Sequence, residues 1–214
     1  MATEHRQVYL ALEFVGLFVL MPALFAAGLI PLHLIAVMGL VVLLVLPLLL
    51  RDPKFNRREL LIRGGLRRQL RPVLWLFVPL AAALAVAVYK LAPESLFAFP
   101  RRAPLAWAMV LVLYPLFSVL PQSVIWRSFL LHRYRPLFGA GLVAVIVAAA
   151  AFAWGHIIFG NAIAVGLTLV GGMLFAHTHL KTGSLFTAAV EHALYGGWVF
   201  TVGLGRFIYT GAAG

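Results

Sequence analysis

Runs of about twenty consecutive apolar residues, broken only by short basic or proline-bearing segments, recur along this chain. A helix that crosses a bilayer needs about 20 such residues. Seven stretches qualify: 8–30, 32–50, 73–91, 105–134, 138–159, 162–180 and 184–207. They predict an all-α polytopic transmembrane bundle with about seven spanning helices. Charged residues make up 11% of the chain against about 25% in soluble domains. Little is left over for a soluble domain.

The charge that remains is one-sided. The formal net charge is +11, and residues 51–72 alone carry eight Lys or Arg against two acids. In a soluble protein such an excess points to nucleic acid. Here it sits in short loops, where the positive-inside tendency and anionic lipid headgroups account for it. No nucleic-acid motif accompanies it, so membrane lipid is the expected partner and nucleic acid is not. The 51–72 segment, His132-Arg133-Tyr134-Arg135 and Lys181 all fall inside if the N-terminus is cytoplasmic. Arg101, Arg102 and Arg206 then fall outside as a minority. Leu60, Leu61, Leu66 and Leu70 interleave with arginines, which predicts a partly interfacial helix. With no cysteine, disulfides, thiolate metal sites and a cysteine nucleophile are excluded. The first apolar run has no clear cleavage site behind it and reads as a retained helix.

Three polar stretches interrupt this apolar background. The first is Pro121-Gln122-Ser123-Val124-Ile125-Trp126-Arg127 on the fourth run, with Pro115 and Pro121 as expected kinks. The second ends at His156 on the fifth, and the third holds Glu191-His192 on the seventh. A cation at membrane depth costs about 2.5–3.5 kcal/mol on insertion scales, so Arg127 must face protein or water and find a partner. Glu191 and Glu13 are the candidates. At about 1.5 Å per residue the three stretches reach similar depths and can converge. His177 and His179, two residues apart, point to different faces and read as interfacial anchors. The 132–135 run reads the same way, and Lys90 as a snorkelling cation. Glycines on the sixth and seventh runs read as close-packing sites.

These residues resemble a known family, the intramembrane CAAX-protease and bacteriocin-processing (CPBP) proteins. Its pattern is Glu-Glu-x-x-x-Arg, Phe-x-x-x-His and His-x-x-x-Asn on successive membrane helices. Gln122-Ser123-x-x-x-Arg127 aligns with the first, Phe152-x-x-x-His156 matches the second, and His192-Ala-Leu-Tyr-Gly196 aligns with the third. The likeness covers about residues 105–205. It divides the chain into three generic helices with the basic loop (1–104) and a family-like core (105–207) within one membrane domain.

The resemblance implies an intramembrane endopeptidase that needs no metal or other cofactor. It acts on a protein or peptide substrate, membrane-anchored or not, in the bacterial inner membrane. In the family a glutamate of the first motif is the general base, while the histidines and the asparagine polarise water or stabilise the oxyanion. The implied site is therefore Gln122, Ser123, Arg127, His156 and His192, supported by Glu191, Asn161 and Phe152. The departures fall on the chemistry, since neither Gln122 nor Ser123 is a carboxylate and Gly196 has no donor. Against relatives that keep only the second glutamate, Ser123 is the decisive change. A glutamate there would stand at i, i+4 to Arg127 and pair with it. Glu191 as an alternative base, Ser123 paired with a histidine as a nucleophile, and Asn161 folding inward as the missing donor remain open. So do a catalytically silent relative with a binding, immunity or chaperone-like role, and a histidine-based metalloprotease, for which a third ligand is wanting.

Overall fold

The computed structural model describes residues 2–60 and 66–208, and all regular structure among them is helical. Part of the expected interfacial helix, including Leu61, lies outside the described residues. Among the described residues six helices are long and apolar enough to cross a membrane: α1 (Glu4–Ala26), α2 (Leu34–Arg51), α3 (Arg67–Leu91), α4 (Pro104–Arg133), α5 (Leu142–Phe159) and α6 (Ala162–Thr182). The seventh, α7 (Leu185–Thr201), has 17 residues, and ten of them are buried. It is the central helix of the bundle. Large apolar side chains such as Leu43 and Trp75, both 72% exposed, cover the outside, as a lipid-facing surface requires.

Several boundaries differ from the apolar runs for local reasons. α3 starts six residues before Val73 and so takes in Arg67, Arg68 and Arg71 from the basic segment. α7 ends well before Phe207. There Gly203 turns the chain at φ +92° and lies so close to the Ser95 carbonyl that a Cβ would collide with it. Regular α-helix in α5 stops at Trp154, and Gly155–His156 form a turn before a short 3-10 segment, Ile157–Phe159. In α4 the two prolines do not break the helix. The chain widens instead into π turns at Pro115–Val119 and Val124–Phe129, on either side of Leu120–Ser123. π turns are frequent at functional sites.

Both ends of the bundle are tied by polar contacts. At the basic end, Arg133 donates two hydrogen bonds of 2.9 Å to Glu13, and the Tyr134 hydroxyl donates a third at 3.0 Å. Burial pushes the Tyr134 phenol up, which keeps it a donor to that carboxylate. His132 lies 2.9 Å from Asp52, and this hydrogen bond holds the Asp52 carboxyl below its usual range. The 132–135 run thus clamps α1 and α2 onto α4, a correction to its reading as a lipid-interface anchor. It also removes Glu13 as a partner for Arg127. Elsewhere the Trp154, Trp107 and Trp198 indoles donate to Val19, Thr201 and Ala81. Asn161 and Ser184 cap α6 and α7 by accepting from the amides of Ala164 and Thr187.

The glycines on α6 split into two roles. A Cβ on Gly172 would lie 2.9 Å from the Ala149 backbone of α5, so this glycine sets how closely the two helices approach. Gly166 has nothing within 4 Å of the equivalent position. Gly172→Ala should therefore cost about 1–3 kcal/mol by forcing the helices apart, while Gly166→Ala should be neutral or slightly stabilising. Thermal unfolding of the two variants in detergent checks the contrast, and equal midpoints would contradict it. At the other tie, Glu13→Gln should lower stability by about 1–3 kcal/mol through the lost charge-assisted bonds, measured in the same assay.

Candidate active site

α4 to α7 enclose most of a cavity of about 1770 Å3, completed by α2, α3 and the 95–102 segment. Its walls are largely apolar, with Phe117, Leu174 and Val199 among them. Gly166, Gly171 and Gly196 line it too, and at Gly166 the absence of a side chain leaves open space. Glu94, Arg102 and Arg206 line one end. Gln122, His156, His192 and Tyr114 bring polar atoms to the wall at the level of the two α4 π turns.

His156 stands just past the α-helical part of α5, so its ring turns back along the helix. Nδ1 lies 2.7 Å from the Phe152 carbonyl and must donate to it. That contact fixes the tautomer and leaves Nε2 as a proton acceptor. His192 stacks on Phe175 at a centroid distance of 4.6 Å, and its Nε2 is 3.1 Å from the Tyr114 hydroxyl. Both imidazoles pack on Phe152, with centroids 4.5 and 5.5 Å from its own, so they lie within about 10 Å of each other. Gln122 is 8% exposed. Its amide donates at 2.8 Å to Ser118, and its Oε1 is buried with no partner among the described residues.

Arg127 is 1% exposed and underlies this arrangement. Its guanidinium carbon is 4.3 Å from the Phe152 ring centroid and 5.0 Å from that of Phe175. Nη1 donates at 3.4 Å to the Gln122 carbonyl of its own helix, and Nη2 is buried with no hydrogen-bond partner among the described residues. It makes no direct ion pair among the described residues. Glu191 is 2% exposed, and among the described residues its Oε2 has no hydrogen-bond partner. Two aromatic faces thus do much of the work expected of a carboxylate partner.

The other implied residues are placed as follows. Ser123 is fully buried and does not reach the cavity wall; Gln122 does. Of the two positions of the first motif that depart from the family pattern, 122 is the one on the cavity-facing side of α4. A serine nucleophile at 123 has no access to the cavity. Glu191 is likewise buried and off the wall, one residue from the wall residue His192. Asn161 is committed elsewhere. Its oxygen caps α6, and its amide donates to the Phe159 and Phe207 carbonyls at 3.0 and 2.9 Å. It does not fold inward. Among the described residues no three His, Cys, Asp or Glu converge as metal ligands.

One residue escaped the sequence reading and a second was given another role there. Tyr114 approaches the backbone of Gly196 so closely that a Cβ there would collide with its hydroxyl. The room left by the missing asparagine side chain is filled by a phenol from another helix. No spacing rule links residues 82 positions apart, although a glycine where a donor is wanted was a signal that another group had taken its place. His179 is the second. It is 5% exposed, and its Nε2 is 3.7 Å from Glu59, so it is an internal contact of the basic end rather than an interfacial anchor. His177 faces outward.

No curated protein and no solved structure matches the chain. Residues 103–198 match the family model described as type II CAAX prenyl endopeptidase Rce1-like. That segment runs from the start of α4 into α7 and contains Gln122, His156 and His192, the wall residues of all three motifs. Over residues 103–198 the chain is thus similar to the Rce1-like type II CAAX prenyl endopeptidases.

Proposed function

We propose that the chain hydrolyses a peptide bond of a membrane-associated polypeptide in this cavity, with His156 as the proton acceptor that a carboxylate provides elsewhere in the family. One observation carries the reading: the bond from Nδ1 to the Phe152 carbonyl, 2.7 Å long, leaves an Nε2 lone pair on a side chain that lines the cavity. A general base has to present such a lone pair to water near the scissile carbonyl. Water held there attacks the carbonyl carbon as its proton passes to Nε2. The carbonyl oxygen becomes an oxyanion, and the second amide hydrogen of Gln122, not used by Ser118, is available to it. The C–N bond then breaks, and the imidazolium returns the proton to the leaving amine.

A second reading has its own support. The carboxylate on the cavity wall, Glu94, lies beside Ser95 between α3 and α4, and Glu191 is off the wall. A cavity of this kind also suits a silent relative that binds a peptide without cutting it.

Assays on quenched fluorescent peptides with protein in nanodiscs separate the two. His156→Ala should lower hydrolysis by about 10²-fold or more, the scale of general-base assistance. Gln122→Glu should raise it, because a carboxylate is added on the wall. Ser123→Glu should not, because that position is off the wall. Peptide binding with no turnover in either the wild type or Gln122→Glu favours the silent reading. We also place the basic end of the bundle in the cytoplasm, on the concentration of Lys and Arg in its loops. A periplasm-active reporter fused after Lys54 should stay inactive, and activity there would reverse the orientation.

A further inference from the structure

We propose that Tyr114 is a hydrogen-bond donor to the substrate carbonyl, oriented by His192 and given its position by Gly196. The inference rests on the cavity's being a peptide-binding site, as proposed above. It starts from the hydrogen-bond inventory of His192. The ring is 5% exposed, Nδ1 is buried with no partner among the described residues, and Nε2 is 3.1 Å from the Tyr114 hydroxyl. Two tautomers are conceivable. If Nδ1 carried the hydrogen, a buried N–H would be orphaned. If Nε2 carries it, the orphan is a lone pair, and under-satisfied acceptors are tolerated better than orphaned N–H groups. Nε2–H therefore donates to the Tyr114 oxygen. The phenol's own hydrogen is then free, and Tyr114 lines the cavity. A phenol that already accepts from an imidazole is a stronger donor in turn.

The surroundings keep the phenol in place. The Tyr114 ring packs edge-on against Phe200 at 5.3 Å and against His192 at 6.0 Å. Its hydroxyl sits against the bare backbone of Gly196, where any side chain would displace it. α4 brings Tyr114 there as the last residue before the Pro115–Val119 π turn. A helix position, a glycine on the facing helix and an imidazole thus aim one O–H into an apolar cavity. A carbonyl that gains negative charge in such a site gains more from the donor than a resting carbonyl does.

A Leu- and Ala-rich octapeptide suits the apolar walls, and the same octapeptide with its central amide replaced by a phosphinate mimics the oxyanion. Wild-type protein should bind the phosphinate more tightly than the amide. Tyr114→Phe should lose that preference, on the order of 10²-fold, while amide affinity falls by no more than about tenfold, the scale of one neutral hydrogen bond. Where the wild type cleaves the amide, kcat should fall in parallel, by more than KM rises. A purely structural role for the phenol would weaken both ligands alike and would overturn the proposal. So would a Tyr114→Phe protein that keeps the full phosphinate preference, or a wild type that shows none. Loss of the preference in a protein that never cleaves would leave Tyr114 as the donor and overturn the hydrolysis reading instead. Unchanged preference in a protein that cleaves would do the reverse. Gly196→Ala gives an independent arm. It should displace the hydroxyl and abolish the preference, and it should lower the unfolding midpoint in the wild type but not in Tyr114→Ala. Equal midpoint shifts in both backgrounds would contradict the packing of phenol on glycine.

Discussion

A guanidinium held between two phenyl rings is the interaction on which the site depends. Arg127 is too costly to expose to lipid, and its carbon lies 4.3 Å from Phe152 and 5.0 Å from Phe175. Those rings belong to α5 and α6, so the cation joins three helices. Phe152 in turn carries His156 on one edge and His192 on another, and Phe175 stacks on His192. The positions of both imidazoles are thus consequences of where Arg127 goes. An ion pair in its place would have required a carboxylate at the same depth, with its own desolvation cost.

The second constraint is backbone width. Two π turns in α4 bracket the four residues Leu120–Ser123. Pro115 and Pro121 each remove an amide hydrogen, and a wider turn accommodates this without breaking a helix that has no water to fall back on. The same turns set which way Tyr114, Gln122 and Arg127 face. Small residues complete the geometry. Gly172 lets α5 and α6 touch, and Gly196 lets a tyrosine occupy the wall where a side chain would otherwise project.

A family pattern with altered chemistry is consistent with this division of labour. Phe152 and Arg127, which assemble the site, match the family motif. The groups that differ, Gln122, Ser123 and Gly196, are those that would handle protons or donate to the substrate. His156, His192 and Tyr114 remain on the wall, and in the roles proposed for them His156 is the acceptor and Tyr114, oriented by His192, the donor. An arrangement held by aromatic packing tolerates such exchanges, because its scaffold does not pass through the exchanged atoms.

The sequence by itself determined the class of structure and the gathering of the three motifs. A bilayer admits few solutions, so runs of about 20 apolar residues specify helices, and polar groups on three of them specify a common interior. Family motifs named His156, His192 and Arg127 directly. What the sequence could not carry was direction around each helix axis. A rotation of about 100° per residue separates Gln122 on the wall from Ser123 behind it, and it separates His192 from Glu191 in the same way. π turns alter that rotation and have no one-residue signature. The tyrosine beside Gly196, the partner of Glu13 and the contact between His179 and Glu59 all join residues at least 78 positions apart. Such pairings arise only when helices pack, because side-chain contact depends on the relative rotation and tilt of two helices, and no local periodicity encodes either.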